Sequence, residues 1–359
     1  MNFLNKNIIN FEEEFFGVDF GDLFVKVVQL ENDGSKDCVR AYATQSIPAG
    51  SIEDGRIVDK QKVAEALRSA VAASGPKKIK TKKVVCSLPE SKVFLRIVSI
   101  PKMEKSEISE AIKWEIEASI PLSVDQVYYD WQLIGEVDNK QNILTVAVSR
   151  EIIDDLLEVF EMVNFEVHCL EAESIAMARS LIKNSEEEKV VSLIVDLGSK
   201  RTNFVVVEGN LPFFTSSISF SSNGVTDAIA KTLGVSNEEA EKIKFLEGVG
   251  FRNNDDSIFN SIKSYLEGLA IEIDKTIDFY HSTNLTSSNV SRIIICGGAN
   301  LKGLVPYLTK RLGQRVFVGD PWTNLDFGDR LPIINKDKSL QFTTAIGLAM
   351  RKKDYENRN

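Results

Sequence analysis

The sequence predicts an α/β protein of two lobes related by duplication, and three observations carry that prediction. The stretch "FGVDFGDLFVKVVQLENDG" (Phe16 to Gly34) returns in outline as "IVDLGSKRTNFVVVEGN" (Ile194 to Asn210). Each copy runs through aliphatics into Asp-x-Gly and resumes as a second apolar strand that closes on a turn. The two aspartates, Asp19 and Asp196, lie 196 − 19 = 177 positions apart, close to half of 359 residues, as a duplicated two-lobed chain requires. Around both copies strand-like runs alternate with stretches of helical period, the pattern of layered α/β cores.

The elements follow in order. After the first hairpin, "DKQKVAEALRSAVAASG" places Val63, Ala66, Leu67, Ala70 and Val71 at helical spacing and stops at Gly-Pro. "KKIKTKK" leads into the short strand "VVCSLP"; its lysines fit a solvated turn or a contact with anionic lipid. From Ser91 the texture changes. "SKVFLRIVSIP" reads as a strand, "KSEISEAIKWEIEASI" as a helix, "YYDWQLIGE" and "NILTVAVSR" as strands and "EIIDDLLEVFEMVNF" as a helix, a βαββα unit of insert size. "VHCLEAESIAMARSLIKN" gives a strand end and a helix before the acidic linker "SEEEK". The second hairpin is followed by helices in "GVTDAIAKTLG", "SNEEAEKIKFLEG" and "SIKSYLEGLAIEIDKTIDFYHS". "VSRIIICGGANLKGLVPYLTKRLG" then reads as strand, glycine turn and helix, and "LQFTTAIGLAMRK" as a closing helix.

Composition narrows the function. With 43% hydrophobic and 26% charged residues, the chain can bury two or more cores. A formal charge of -9 argues against broad nucleic-acid binding, which needs a basic footprint. Cys38, Cys86, Cys169 and Cys296 are scattered in or beside apolar runs, with no CxxC spacing, which suits a reducing cytoplasm. His168 and His281 alone cannot build a His-rich metal site, and both read as structural. The opening "MNFLNKNIINFEEEFF" has no h-region, so no signal peptide is expected. No stretch approaches the roughly 18 apolar residues of a membrane span, and membrane contact is expected only through partners.

The chemistry is expected at the repeated loops. A strand-end aspartate can hold the waters of hydrated magnesium, while the nearby glycine lets the backbone approach phosphate oxygens. One such loop could be an ordinary turn, whereas two matched ones point to a shared ligand. In "IIICGGANLKGL", Gly297 and Gly298 allow a flat group such as a purine to pack on backbone, or simply make a tight strand-to-helix turn. In "AEKIK", Glu241 and Lys244 share a helical face and could reach sugar hydroxyls or form a surface ion pair.

Two phosphate loops, the Glu/Lys pair, the glycine pair and a terminal Ala-Ile-Gly-Leu-Ala helix, in this order, resemble the actin, Hsp70 and sugar-kinase superfamily. The unit after "VVCSLPES" resembles the FtsA-like branch, and "EIEASIPLSVDQVYYDWQ" is similar to the signature of the type IV pilus assembly protein PilM family, over Phe16 to about Arg351. The resemblance implies a two-lobed actin-like ATPase fold: duplicated RNase H-like cores with an FtsA-like insert in the first lobe. It implies a first lobe of 1–90 with 166–190 and 340–359, an insert at 91–165, a second-lobe core of 191–225 and 290–339, and a helical subdomain at 226–289. It further implies ATP and Mg2+ as cofactors. Asp19, Gly21, Asp22, Lys26, Asp196, Gly198 and Thr202 would face the phosphates, with Asp19 and Asp196 holding the metal through water. Glu241 and Lys244 would lie at the ribose and Gly297 and Gly298 at the adenine, while Glu171 or Glu173 would position a water. The implied partner is the cytoplasmic N-terminal tail of a PilN-type bitopic membrane protein, with pilus motor ATPases and a second copy of the chain as further candidates.

The sequence departs from that pattern in three places. Glu171 stands where Asp is usual, Gly21-Asp22-Leu23-Phe24 replaces a hydroxyl-rich loop, and Ser-Ser-Asn-Gly replaces a Gly-Gly segment. An FtsA-like adaptor, or an active ATPase or kinase of the same superfamily, is the alternative, and a GspL-type secretion component comes third. "RKKDYENRN" lacks the apolar amphipathic tail of FtsA, which favours the pilus reading.

Overall fold

The computed structural model describes residues 14–33, 36–184, 190–249, 257–282, 289–298, 301–329 and 331–351. Most of the acidic N-terminal opening, the "SEEEK" linker and the tail after Arg351 lie outside the described residues. The first hairpin is β1 (Phe16–Phe20) and β2 (Phe24–Asp33), turned where the Gly21 amide donates to Phe24 O at 2.9 Å. β3 (Lys36–Ser46) continues the antiparallel run. A two-residue ribbon, β4 (Ile52–Glu53) and β5 (Arg56–Ile57), closes on Asp54-Gly55. Then come α1 (Lys60–Ala73), started by the Asp59 side chain accepting from the Lys62 amide, β6 (Gly75–Pro76) and β7 (Lys83–Leu88).

β8 (Val93–Pro101), α2 (Lys105–Ser119), β9 (Val127–Val137) and β10 (Lys140–Ser149) follow. Next are α3 (Arg150–Met162), β11 (Glu166–Ala172) and α4 (Glu173–Leu181). The second half has β12 (Val191–Leu197), β13 (Thr202–Glu208), β14 (Leu211–Ile218), α5 (Ser222–Leu233), α6 (Asn237–Leu246) and α7 (Ser257–Ser282). It ends with β15 (Val290–Gly297), α8 (Leu304–Leu312), β16 (Val316–Val318), α9 (Lys336–Ser339) and α10 (Thr343–Ala349).

The two main sheets answer the question of the repeated hairpin. The first has the order β11-β7-β1-β2-β3-β6 and the second β14-β13-β12-β15-β16. In each, three antiparallel strands lead into two parallel ones beside the first strand of the hairpin. The equivalence reaches the register: Asp19 faces Lys26 on β2, and Asp196 faces Asn203 on β13. β12 is apolar at nearly every position because neighbours cover both its faces, as central parallel strands require. α10 returns against β1 and α4, and Gly347 lies so close to α4 that a Cβ there would fall 1.9 Å from Ala176 O. This is the two-lobed actin-like architecture expected from the sequence.

The third sheet, β8-β10-β9, is antiparallel and has a core of its own. Ile108, Ile112 and Ile116, one helical turn apart on α2, are buried against Ile100, Ile143 and Ala147, and each contributes about 1.5–3 kcal/mol of apolar burial. α3 packs outside that core. Its apolar face (Ile152, Ile153, Leu156, Val159, Phe160) packs with α1 in the core of the first sheet, beside Phe16 and Leu67. The periodicity that predicts a helix does not say which sheet its apolar face will cover, and that of α3 covers the first.

Candidate functional site

The ends of β1 and β12 meet at a cleft of about 430 Å³, within the usual range for small-molecule sites. Asp19, Gly21, Asp22 and Lys26 of the first hairpin line one side. Asp196 and Gly198 of the second line the other, with Glu241 and Lys244 of α6 and Gly297 and Gly298 at the end of β15. Glu173, the first residue of α4, closes the floor.

Charge is concentrated where the hairpins meet. Lys26 Nζ lies 3.1 Å from Asp19 Oδ2, and Ser87 Oγ donates to Asp19 Oδ1 at 3.1 Å. Burial alone would lower the Lys26 pKa, but Asp19, Asp196 and Glu173 together raise it. Burial lifts Asp196 to about 6, opposed by Lys26 and reinforced by Asp19. Glu173 is held well above the carboxylate range by burial, then by Asp19, Glu90 and Asp196; Asn203 Nδ2 donates to its Oε2 at 3.0 Å. Glu90, two residues beyond β7, is also raised by burial, against the Ser174 amide that donates to its Oε2 at 2.9 Å.

Two glycines are required by geometry. Gly297 has φ +72°, and a Cβ there would fall 2.2 Å from Asp196 Oδ1. At Gly198 a Cβ would fall 2.6 Å from Arg201 O, the acceptor of the Gly198 amide at 2.9 Å. Lys244 is 6% exposed; its Nζ donates to Ser222 Oγ at 2.8 Å and Thr226 Oγ1 at 2.9 Å and pairs with Glu241 at 2.6 Å. Beside it, a small recess lined by Phe220, Val225, Leu269 and Gly298 continues the cleft with apolar walls.

Two expected residues are not brought to the cleft. Glu171, the penultimate residue of β11, points away from Glu173 and is gripped by Arg179 through both oxygens, at 2.7 and 2.6 Å, and by Arg351. Thr202 is fully buried and its hydroxyl donates to Phe220 O at 2.9 Å, so it ties β13 to the strand-helix junction rather than facing a ligand. Conversely, Glu90, Lys200, Arg201 and Asn203 line the cleft and went unread. The signal for two of them was present: paired cations in "LGSKRTNF" directly after the loop glycine.

The residues present fit a magnesium nucleotide. Two facing carboxylates, the Lys26 and Lys244 ammonium groups, glycine-permitted backbone approaches and an adjoining apolar recess match triphosphate, hydrated metal and base. Among the described residues no three of His, Cys, Asp or Glu are disposed to ligate a metal directly. Among those residues no helix is long and apolar enough to cross a membrane.

A family model described as "Type IV pilus assembly protein PilM" matches residues 17–353. The chain is similar in structure to the PilM-PilN type IV pilus biogenesis complex, with TM-score 0.79 and 24% identity over 95% of this chain and 98% of that one. It also resembles the ethanolamine utilization protein EutJ of Carboxydothermus hydrogenoformans, with TM-score 0.55 and 17% identity over 94% of this chain and 89% of that one. MreB 5 of Spiroplasma citri bound to AMPPNP gives 0.53 and 13%, over 93% and 94%. In sequence, the cell division protein FtsA of Staphylococcus epidermidis is 22% identical over 208 residues, 53% of this chain and 44% of FtsA, so the chain spans less than half that relative's length.

Proposed function

Because this chain belongs to the type IV pilus assembly protein PilM family, we propose that it is a nucleotide-gated scaffold that binds ATP with Mg2+ between its lobes and holds the cytoplasmic tail of a PilN-type membrane protein. The observation that carries the nucleotide part is Lys26 held among Asp19, Asp196 and Glu173 where the two hairpins converge. In this reading Lys26 faces the phosphate chain, and Asp19 and Asp196 hold the water shell of the metal, which when bound neutralises phosphate charge. Glu241 and Lys244 face the ribose, and Gly297 and Gly298 accept the base. Burial and the neighbouring acids push the Glu173 pKa up and so disfavour the ionised form that would accept a water proton, which supports slow hydrolysis or none. What supports the tail is that the structurally similar complex pairs a PilM with a PilN.

The subdomains are assigned in the same reading. The first lobe takes residues up to 90, with α3, β11, α4 and α10; the insert runs from β8 to β10; the second-lobe core takes β12 to β14, β15 and β16; α5 to α7 form the helical subdomain. The tail is assigned to a groove beside the insert as an extended segment. Membrane association then comes through that partner, and pilus motor ATPases and a second copy of the chain are further contacts of the scaffold. Calorimetry with Mg·ATP, followed by a synthetic PilN-type tail, tests the reading. Heat in both titrations, with the tail's affinity changed by nucleotide, is expected; no heat with nucleotide leaves a scaffold without its ligand, and no heat with tail removes the partner.

A further inference from the structure

The β4–β5 turn sits at the rim of the cleft and is tied down at several points. The Gly55 amide donates to Asp22 Oδ1 at 3.2 Å, so the unusual acid of the first glycine loop anchors this turn. Gly55 has φ +76°, and a Cβ there would fall 2.8 Å from Pro89 Cβ. Asp54, at φ +50°, uses both carboxylate oxygens: Oδ2 accepts from Lys92 Nζ at 2.6 Å and Oδ1 from Arg201 Nη1 at 2.8 Å. Lys92 belongs to the same lobe, but Arg201 comes from the β12–β13 turn, 147 residues away. The Asp54–Arg201 pair is therefore a bond between the lobes.

The rest of the Arg201 guanidinium is fixed. Nε donates to Ser217 Oγ at 2.9 Å and Nη2 to Ser217 O at 3.2 Å. Ser217 Oγ donates to Asn203 Oδ1 at 2.7 Å, and Asn203 Nδ2 to Glu173 Oε2 at 3.0 Å. An unbroken chain of hydrogen bonds thus joins Asp54 at the rim to Glu173 at the floor. Within it Asp54 is the replaceable member, since its side chain is 52% exposed. A terminal phosphate carries more charge than a carboxylate and offers three acceptor oxygens to the guanidinium of Arg201, which lines the cleft.

We propose that Arg201 is a phosphate-reading residue, shared between Asp54, which bonds the lobes together, and the terminal phosphate of a bound nucleoside triphosphate, so that nucleotide and the inter-lobe bond compete. The proposal rests on the nucleotide reading above. It gives the cleft a preference for the triphosphate and gives nucleotide a route to loosen the rim.

Calorimetric titration of Mg·ATP and Mg·ADP into the full chain and into Asp54→Asn, Arg201→Gln and the double variant tests it. Asn tolerates positive φ, so Asp54→Asn keeps the turn. The substitution removes the ion pairs of Asp54 with Lys92 and Arg201, and release of Arg201 should tighten Mg·ATP by about two- to fivefold. Arg201→Gln should weaken Mg·ATP about tenfold or more and Mg·ADP less, by loss of a charge-assisted hydrogen bond. In the Arg201→Gln background, Asp54→Asn should change nothing. The same gain from Asp54→Asn in both backgrounds, or equal losses for ATP and ADP, overturns the proposal while leaving the nucleotide site standing. Binding of neither nucleotide by any of the four proteins overturns both.

Discussion

Replacing Lys26 by Met keeps most of the side-chain volume and removes the cation among the buried acids. Lys26 Nζ is 3.1 Å from Asp19 Oδ2, and at an effective dielectric of 20 that attraction is on the order of 5 kcal/mol. Part of it is offset by the burial that opposes the lysine's charge, and breaking such a pair from one side costs about 3–5 kcal/mol. The pH dependence separates charge from packing. Asp196 titrates at about 6 in the folded protein against 3.8 as its reference, with Lys26 restraining the rise. Between those values the folded state binds more protons than the unfolded state, so native stability falls as pH rises through about 6. Without Lys26 the Asp196 pKa rises further, the window widens, and the penalty of Lys26→Met must grow with pH. Urea unfolding at about pH 5 and about pH 8 measures this. A loss of about 3–5 kcal/mol at the higher pH that shrinks at the lower is expected; an equal loss at both would refute the electrostatic account and leave only the packing of the aliphatic stem.

Other consequences are open to measurement. Asp22→Asn removes a charge near the phosphates but keeps an acceptor for the Gly55 amide, so Mg·ATP should bind a few-fold tighter; Asp22→Ser shortens the side chain and should show less benefit or a loss of stability. Mg·ATP affinity, followed by calorimetry from about pH 8 to about pH 5, should weaken as Asp196 takes up its proton near 6, and a flat profile would argue against metal at this carboxylate. Glu171→Gln breaks the contacts with Arg179 and Arg351 and should destabilise the fold by about 3–5 kcal/mol in thermal or urea unfolding while leaving nucleotide affinity intact, the reverse of what a water-positioning role predicts. Gly297→Ala, which sets a Cβ against Asp196 Oδ1 at a positive φ, should abolish Mg·ATP binding in the same titration.

The fold was legible where it is local. The Asp-x-Gly hairpins, the helix of "DKQKVAEALRSAVAASG" and the α2 stripe of isoleucines announce themselves by period and turn residues. β3 and β14 did not: each is the third antiparallel strand of its sheet, and the charges of Lys36, Asp37 and Arg40 or the serines at 216 and 217 dilute the alternation. β4, β5 and β16 are too short to show a period at all. At the site, residues carried by the loop motifs were readable from neighbouring positions. Arg201, Asn203 and Glu90 matter because distant segments bring them to Asp54 and Glu173, which no local pattern records. Glu171 and Glu173 were indistinguishable in sequence because they differ by direction: one ends a strand facing Arg179, the other begins a helix facing the cleft.

The central claim is that the two glycine loops hold one magnesium nucleotide between them, and a crystal structure of the chain with Mg·AMPPNP tests it most directly. The account predicts the phosphates between Gly21 and Gly198, the metal's waters on Asp19 and Asp196, and Lys26 on the phosphate chain. Nucleotide bound elsewhere on the surface, or a Lys26–Asp19 pair and glycine loops unchanged with no nucleotide between them at saturating concentration, would contradict it.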